Sequence, residues 1–147
     1  TKIFLDLPTK RIKPPNNRYT VEDLISIINS NKQIRYLGIS NVELDSDLQK
    51  YIELLPKNVT VIPKIESCKA IENLQSIASM LPDSEKIFML DHDDLFSDIL
   101  KKNEPESKFK EHMKTLIEFC GKNNIKLLRT VGVIFNDEEK RLSQYVN

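Results

Sequence analysis

The stretch "VTVIPKIESCKAIENLQSIASMLP", Val59–Pro82, decides how the chain folds. Its first seven residues are almost all apolar, as in a parallel strand covered on both sides. Residues two apart in a strand share a face, so Ile62, Lys64 and Glu66 point one way. Val61, Pro63 and Ile65 point the other way, under helices. Ile71, Leu74, Ile77, Ala78 and Leu81 then recur at helical spacing until Pro82 closes the stripe. One strand followed by one helix makes a βα unit.

Four more runs read as strands: "KIFLDL" (2–7), "IRYLGIS" (34–40), "KIFML" (86–90) and "IKLLRTVGVIF" (125–135). Helical stripes lie between them. Val21, Leu24, Ile25 and Ile28 follow "TVED", a capping-box start at Thr20. Leu48, Tyr51, Ile52 and Leu55 run up to Pro56. Phe109, Met113, Leu116, Ile117 and Cys120 lie between Pro105 and Gly121, and a last short helix is expected after Asn136. The strands and helices alternate, as in repeated βα units with right-handed crossovers. About five such units make residues 1–147 a single α/β domain. Two architectures fit: a partial (β/α) parallel barrel of TIM type, or an open doubly wound sheet. Both place functional groups at the C-terminal ends of the strands. Asp6, Ser40, Lys64, Glu66, Asp91, Asp93, Asp94 and Thr130 all stand there.

Lys plus Arg and Asp plus Glu balance at 22 each, which gives no electrostatic case for nucleic acid or an acidic membrane surface. No apolar run approaches the length of a membrane span. Cys68 and Cys120 have no metal-like spacing and read as reduced thiols, pointing to the cytoplasm. None of the three glycines sits in a phosphate-cradling pattern.

Lys64 and Glu66 near the top of one strand face a crevice or barrel mouth. The ammonium there can balance anionic charge, and the carboxylate can hold a hard cation such as Mg²⁺, which prefers oxygen ligands. "DHDD" (91–94) supplies carboxylates at the end of the next strand, and neighbouring strands lie about 5 Å apart. The same acidic run also suits the start of a helix. His92 alone reads as a solvated loop residue.

These residues resemble those of the pyruvate kinase barrel and the wider phosphoenolpyruvate/pyruvate superfamily, with its HpcH/HpaI aldolase and citrate lyase beta-like relatives. "VIPKIESCKAIENLQSI" is similar to the family's KIE strand and the helix after it. "IFMLDHDDLF" is similar to "IMVARGDLG", "FLDLPTKRIK" to "LDLPGPKIR", and "LGISNVE" to a strand end of the "VSFVR" type. "LLRTVGV" matches more weakly a strand carrying a threonine beside the substrate. The order of all five is kept over nearly the whole chain.

The resemblance implies that Lys64 stabilises charge on an enolate oxygen or a transferring phosphoryl group, and that Glu66 and Asp94 hold Mg²⁺ or Mn²⁺. It implies that Thr130 lies beside the substrate. Asp6 matches an acidic residue that in the kinases helps hold a monovalent cation; it and Lys13 are expected on the substrate side as well, and Ser40 joins them by its place at a strand end. Lys13 keeps the charge of a family arginine without its bidentate fork. His92 and Asp93 stand where the family has Arg-Gly, and Phe96 replaces a glycine. A short loop replaces the lid domain, which argues against pyruvate kinase activity, since phosphoryl transfer depends on positioning. The first two barrel strands have no counterpart, so the chain reads as a barrel segment, homo-oligomeric or completed by missing sequence.

The function expected from this resemblance is a metal-dependent lyase or aldolase. It would act through an enolate on a pyruvate-like keto acid or enolpyruvate, with His92 as candidate base. The other reading is a catalytically degenerate barrel serving as a binding or structural module.

Overall fold

A computed structural model describes residues 1–10 and 19–129. The expected sites at Lys13 and Thr130, and the helix expected after Asn136, lie outside the described residues.

The described chain is a mixed α/β fold. Strands β1 (Ile3–Leu7), β2 (Ile34–Ile39), β3 (Thr60–Ile65), β4 (Ile87–Leu90) and β5 (Lys126–Arg129) form one parallel sheet in the order β1-β2-β3-β4-β5. Among the described residues the sheet is open, with β1 and β5 at its edges. Helices α1 (Val21–Ser30), α2 (Ser46–Leu54), α3 (Cys68–Glu72), α4 (Leu74–Met80), α5 (His92–Lys101) and α6 (Ser107–Lys122) fill the connections. None of these is long and apolar enough to cross a membrane.

Strand alternation separates the two faces of the sheet. Leu7, Leu37, Ile39, Val61, Ile65, Phe88 and Leu90 join one buried cluster that draws on all six helices, among them Val21, Leu48, Ile71, Ile77, Leu95 and Phe109. Ile62 and Ile87 are also buried but belong to the opposite face, outside that cluster. Lys64 shares the face of Ile62. A bulge keeps the alternation in register at the edge. Ile3 pairs with Ile34 and Phe4 with Tyr36, so Arg35 is extra and both Ile34 and Leu37 enter the core. Arg35 turns outward and donates to Asn58 O at 2.9 Å. Pro63, with no N–H to give, stands where the β2 ladder ends, and the β4 ladder begins at Lys64.

The capping box at Thr20 forms as expected. Asp23 N donates to Thr20 Oγ1 at 3.3 Å, and Thr20 N donates to the Asp23 carboxylate at 2.8 Å. Thr20→Ala is expected to cost about 1 kcal/mol in denaturant unfolding.

Three helix expectations change. The stripe from Ile71 to Leu81 is two helices, because Asn73 ends α3 and begins α4. Its amide side chain donates to Lys69 O at 2.8 Å, a local bond that competes with helix continuation. Two helices rather than one fill the β4–β5 connection, α5 being the addition. Finally, α6 runs through Gly121 and closes at Asn123, with Asn124 taking the left-handed conformation at φ 53°.

Candidate functional site

The C-terminal ends of β1 to β4 rise on one edge of the sheet, on the face that the helix-lined core leaves free. Lys64 reaches this edge from β3 and is 8% exposed; Glu66, one step above on the same face, is 4% exposed. The Lys64 ammonium has three hydrogens and three acceptors: Glu66 Oε1 at 3.2 Å, Ser40 Oγ at 3.3 Å and Asp6 Oδ2 at 3.4 Å. Glu66 Oε2 in turn accepts the backbone N–H of Asn41. The Lys64–Glu66 ion pair is therefore buried and fully coordinated.

Asp91 and Asp94 arrive from β4 and α5. Asp91 N donates to Ile65 O at 3.2 Å, which ties the two strand ends together. Asp91 is also the N-cap of α5, with Oδ1 accepting Asp94 N at 3.2 Å. That cap turns the chain so that Asp94 in the first helical turn folds back toward β3. As a result Glu66, Asp91 and Asp94 each offer an oxygen, all within 4.8 Å of one another. The donor set is carboxylate only, which suits a hard divalent cation with water or substrate completing its shell.

The charges are strongly coupled. Burial pushes the Glu66 carboxyl up to about 7; Lys64 and the Asn41 amide oppose that rise, and Asp91 adds to it. Burial pulls the Lys64 ammonium down, but Glu66 and Asp6 outweigh it and hold its pKa above the ordinary value. Lys64 is therefore a fixed cation at neutral pH, while Glu66 sits at the edge of protonation.

These groups line a cavity of about 410 Å³, within the usual range for small-molecule sites. Asp6, Ser40, Lys64, Glu66 and Asp94, all named from the sequence, meet there. His92 is not among the described residues that line it. It opens α5, is 5% exposed and packs its ring 6.3 Å from that of Phe109, so it is a core residue rather than a solvated loop histidine. Sequence reasoning missed Asn41 and the stripe of Ser97, Asp98 and Lys101 along α5. The spacing of Asp94, Ser97, Asp98 and Lys101 is helical and would have flagged that stripe once α5 was recognised. Asn directly after a strand is a residue that readily turns left-handed, the one local signal for Asn41.

Neither thiol is among the described residues that line this cavity. Cys68 and Cys120 are buried and unbridged, and burial raises both pKa values to about 11.

No protein-family model and no curated protein matches the chain. Among solved structures it is similar to RipC from Yersinia pestis, at 18% identity and a TM-score of 0.67, over 97% of this chain. The likeness covers 66% of the RipC chain, so this chain spans about two thirds of that protein's length. At that identity the match speaks to the fold.

Proposed function

We propose that the chain binds Mg²⁺ or Mn²⁺ through Glu66, Asp91 and Asp94 and acts on a pyruvate-like keto acid through an enolate, as a lyase or aldolase. The observation that carries this reading is the convergence of three carboxylate oxygens within 4.8 Å beside a buried, fully coordinated Lys64. When bound, the cation would act as a Lewis acid on developing oxyanion charge. The chain's own part is positioning. Asp6, Ser40 and Glu66 hold the Lys64 ammonium at a fixed point, where its positive charge would offset charge developing on an enolate oxygen without a direct hydrogen bond. The cavity lining carries six carboxylates against three lysines. An anionic keto acid is repelled by that balance until a dication offsets it, so the cation is expected to bind first.

We further read the sheet as barrel-type. Its sequential strand order and a core that gathers all six helices on one face support this. A doubly wound sheet reverses strand order and covers both faces. Phe4, 38% exposed and on the site face by alternation, is consistent with an inner surface completed by further strands or a second copy. Two protonated, buried thiols are compatible with a reducing compartment.

The test is calorimetric titration of the chain with Mn²⁺, with and without oxalate, an enolpyruvate mimic. Oxalate is expected to bind at least about tenfold more tightly with Mn²⁺ present, and Glu66→Ala to weaken Mn²⁺ by about 10–100-fold. No Mn²⁺ binding at millimolar concentration, or unchanged binding in Glu66→Ala, overturns the reading. One observation favours the binding-module alternative: the candidate base, His92, is packed against Phe109 instead of lining the cavity. Coupled Mn²⁺ and oxalate binding without solvent deuterium entering the methyl group of pyruvate would select that alternative.

A further inference from the structure

We propose that Thr9 and Asn41 form a clasp that positions Glu66 as a ligand, an inference that rests on the cation-binding reading above. Asn41 has φ 55°, the left-handed region that side-chain-bearing residues other than Asn and Asp seldom enter. Its side-chain Nδ2 donates to Thr9 O at 2.7 Å, and Thr9 Oγ1 donates to Ser40 O at 2.6 Å. Ser40 N donates to Leu7 O at 3.2 Å. Three hydrogen bonds thus tie the segment after β1 to the turn after β2.

That turn links two environments in consecutive residues. The N–H of Asn41 faces Glu66 Oε2, while the next side chain, Val42, is fully buried in the core at 0% exposure. An extended conformation at position 41 cannot reverse the chain within one residue, so either the amide leaves the carboxylate or Val42 leaves the core. With Asn41 N–H on Oε2 and Lys64 on Oε1, each carboxylate oxygen has one fixed partner and one lone pair left for a cation. Asn41 and Thr9 are positioning residues: they act through Glu66, whose two oxygens are held so that the carboxylate plane cannot rotate away from Asp91 and Asp94. Such outer partners of a ligand typically govern affinity by about 10–100-fold.

The test separates aiming from mere loop stability. Mn²⁺ affinity and metal-free melting are measured on the full chain for three variants. Asn41→Ala, which disfavours the left-handed turn, is expected to weaken Mn²⁺ by about tenfold. Asn41→Gly adopts positive φ freely but also loses the bond to Thr9, so it is expected to bind more tightly than Asn41→Ala and less tightly than the unmodified chain. Thr9→Val keeps the shape, loses the hydroxyl donor and is expected to fall in between. A purely structural role would lower melting in all three and leave the Mn²⁺ affinity of the folded protein unmoved. The proposal is overturned if Asn41→Ala binds Mn²⁺ as tightly as the unmodified chain, or if Thr9→Val does. The Thr9 variant decides the matter if Asn41→Ala fails to fold. Absence of Mn²⁺ binding in the unmodified chain would instead remove the cation reading beneath it.

Discussion

The metal-free protein is expected to lose roughly 3 kcal/mol of stability through Glu66 as pH rises from 4.5 to about 7. The sign follows from proton counting. Burial raises the folded-state pKa of Glu66 from 4.5 to about 7, so within that window the native state keeps a proton that the unfolded chain has released. The native state binds more protons, and stability therefore falls with rising pH. The contribution is fully present below the unfolded value and gone above the folded one. Glu66→Gln keeps an acceptor for the Asn41 amide but has no proton to lose, and its stability profile should lack this component. Asp23, Asp47, Asp98 and Glu111 are shifted downward and add slopes of the opposite sign at lower pH. They are common to both proteins, so the readout is the difference between them. Urea unfolding of the two proteins at a series of pH values measures it; parallel profiles would show that Glu66 ionises at its unfolded value, and the rise driven by burial would have to be abandoned.

Phe109→Ala is expected to destabilise the protein by about 3–5 kcal/mol, the usual cost of truncating a fully buried phenylalanine. Phe109 is 0% exposed, meets Phe96 edge-on at 5.6 Å and lies 6.3 Å from the His92 ring. Through these rings the start of α6 packs on α5. The consequence reaches the site because α5 carries Asp94 and is capped by Asp91. A cavity under α5 removes dispersion contacts on one side of the helix and loosens the first turn. Denaturant unfolding should show the loss in stability, and Mn²⁺ affinity of the folded variant should fall with it. A cost below about 1 kcal/mol would mean that the α5 seat does not depend on this ring.

Much of the layout is legible locally. The capping box at Thr20, the apolar stripes and the period-2 alternation of β3 depend only on neighbours in sequence, and they are present. The misreadings have equally local causes. The stripe from Ile71 to Leu81 keeps its apolar spacing across Asn73, yet that residue's side chain takes a backbone acceptor and breaks the helix. In α5 the apolar residues Leu95, Phe96 and Ile99 are too few to stand out, so "DHDD" suits a helix start without marking a separate helix ahead of the Phe109 stripe.

The amino-acid order alone determines the alternation of strand and helix and the face of β3 that carries Lys64 and Glu66. Both follow from bond geometry, which fixes side-chain direction from one residue to the next. It also places polar groups at the strand ends. Tertiary structure alone decides that Lys64 and Glu66 are 8% and 4% exposed, that Asp91 joins Glu66 and Asp94, that an amide from the neighbouring loop holds Glu66, and that His92 turns into the core. Each of these requires residues far apart in the chain to meet through strand register, helix capping and packing. Those are set by the free energy of the whole assembly and leave no local period to read.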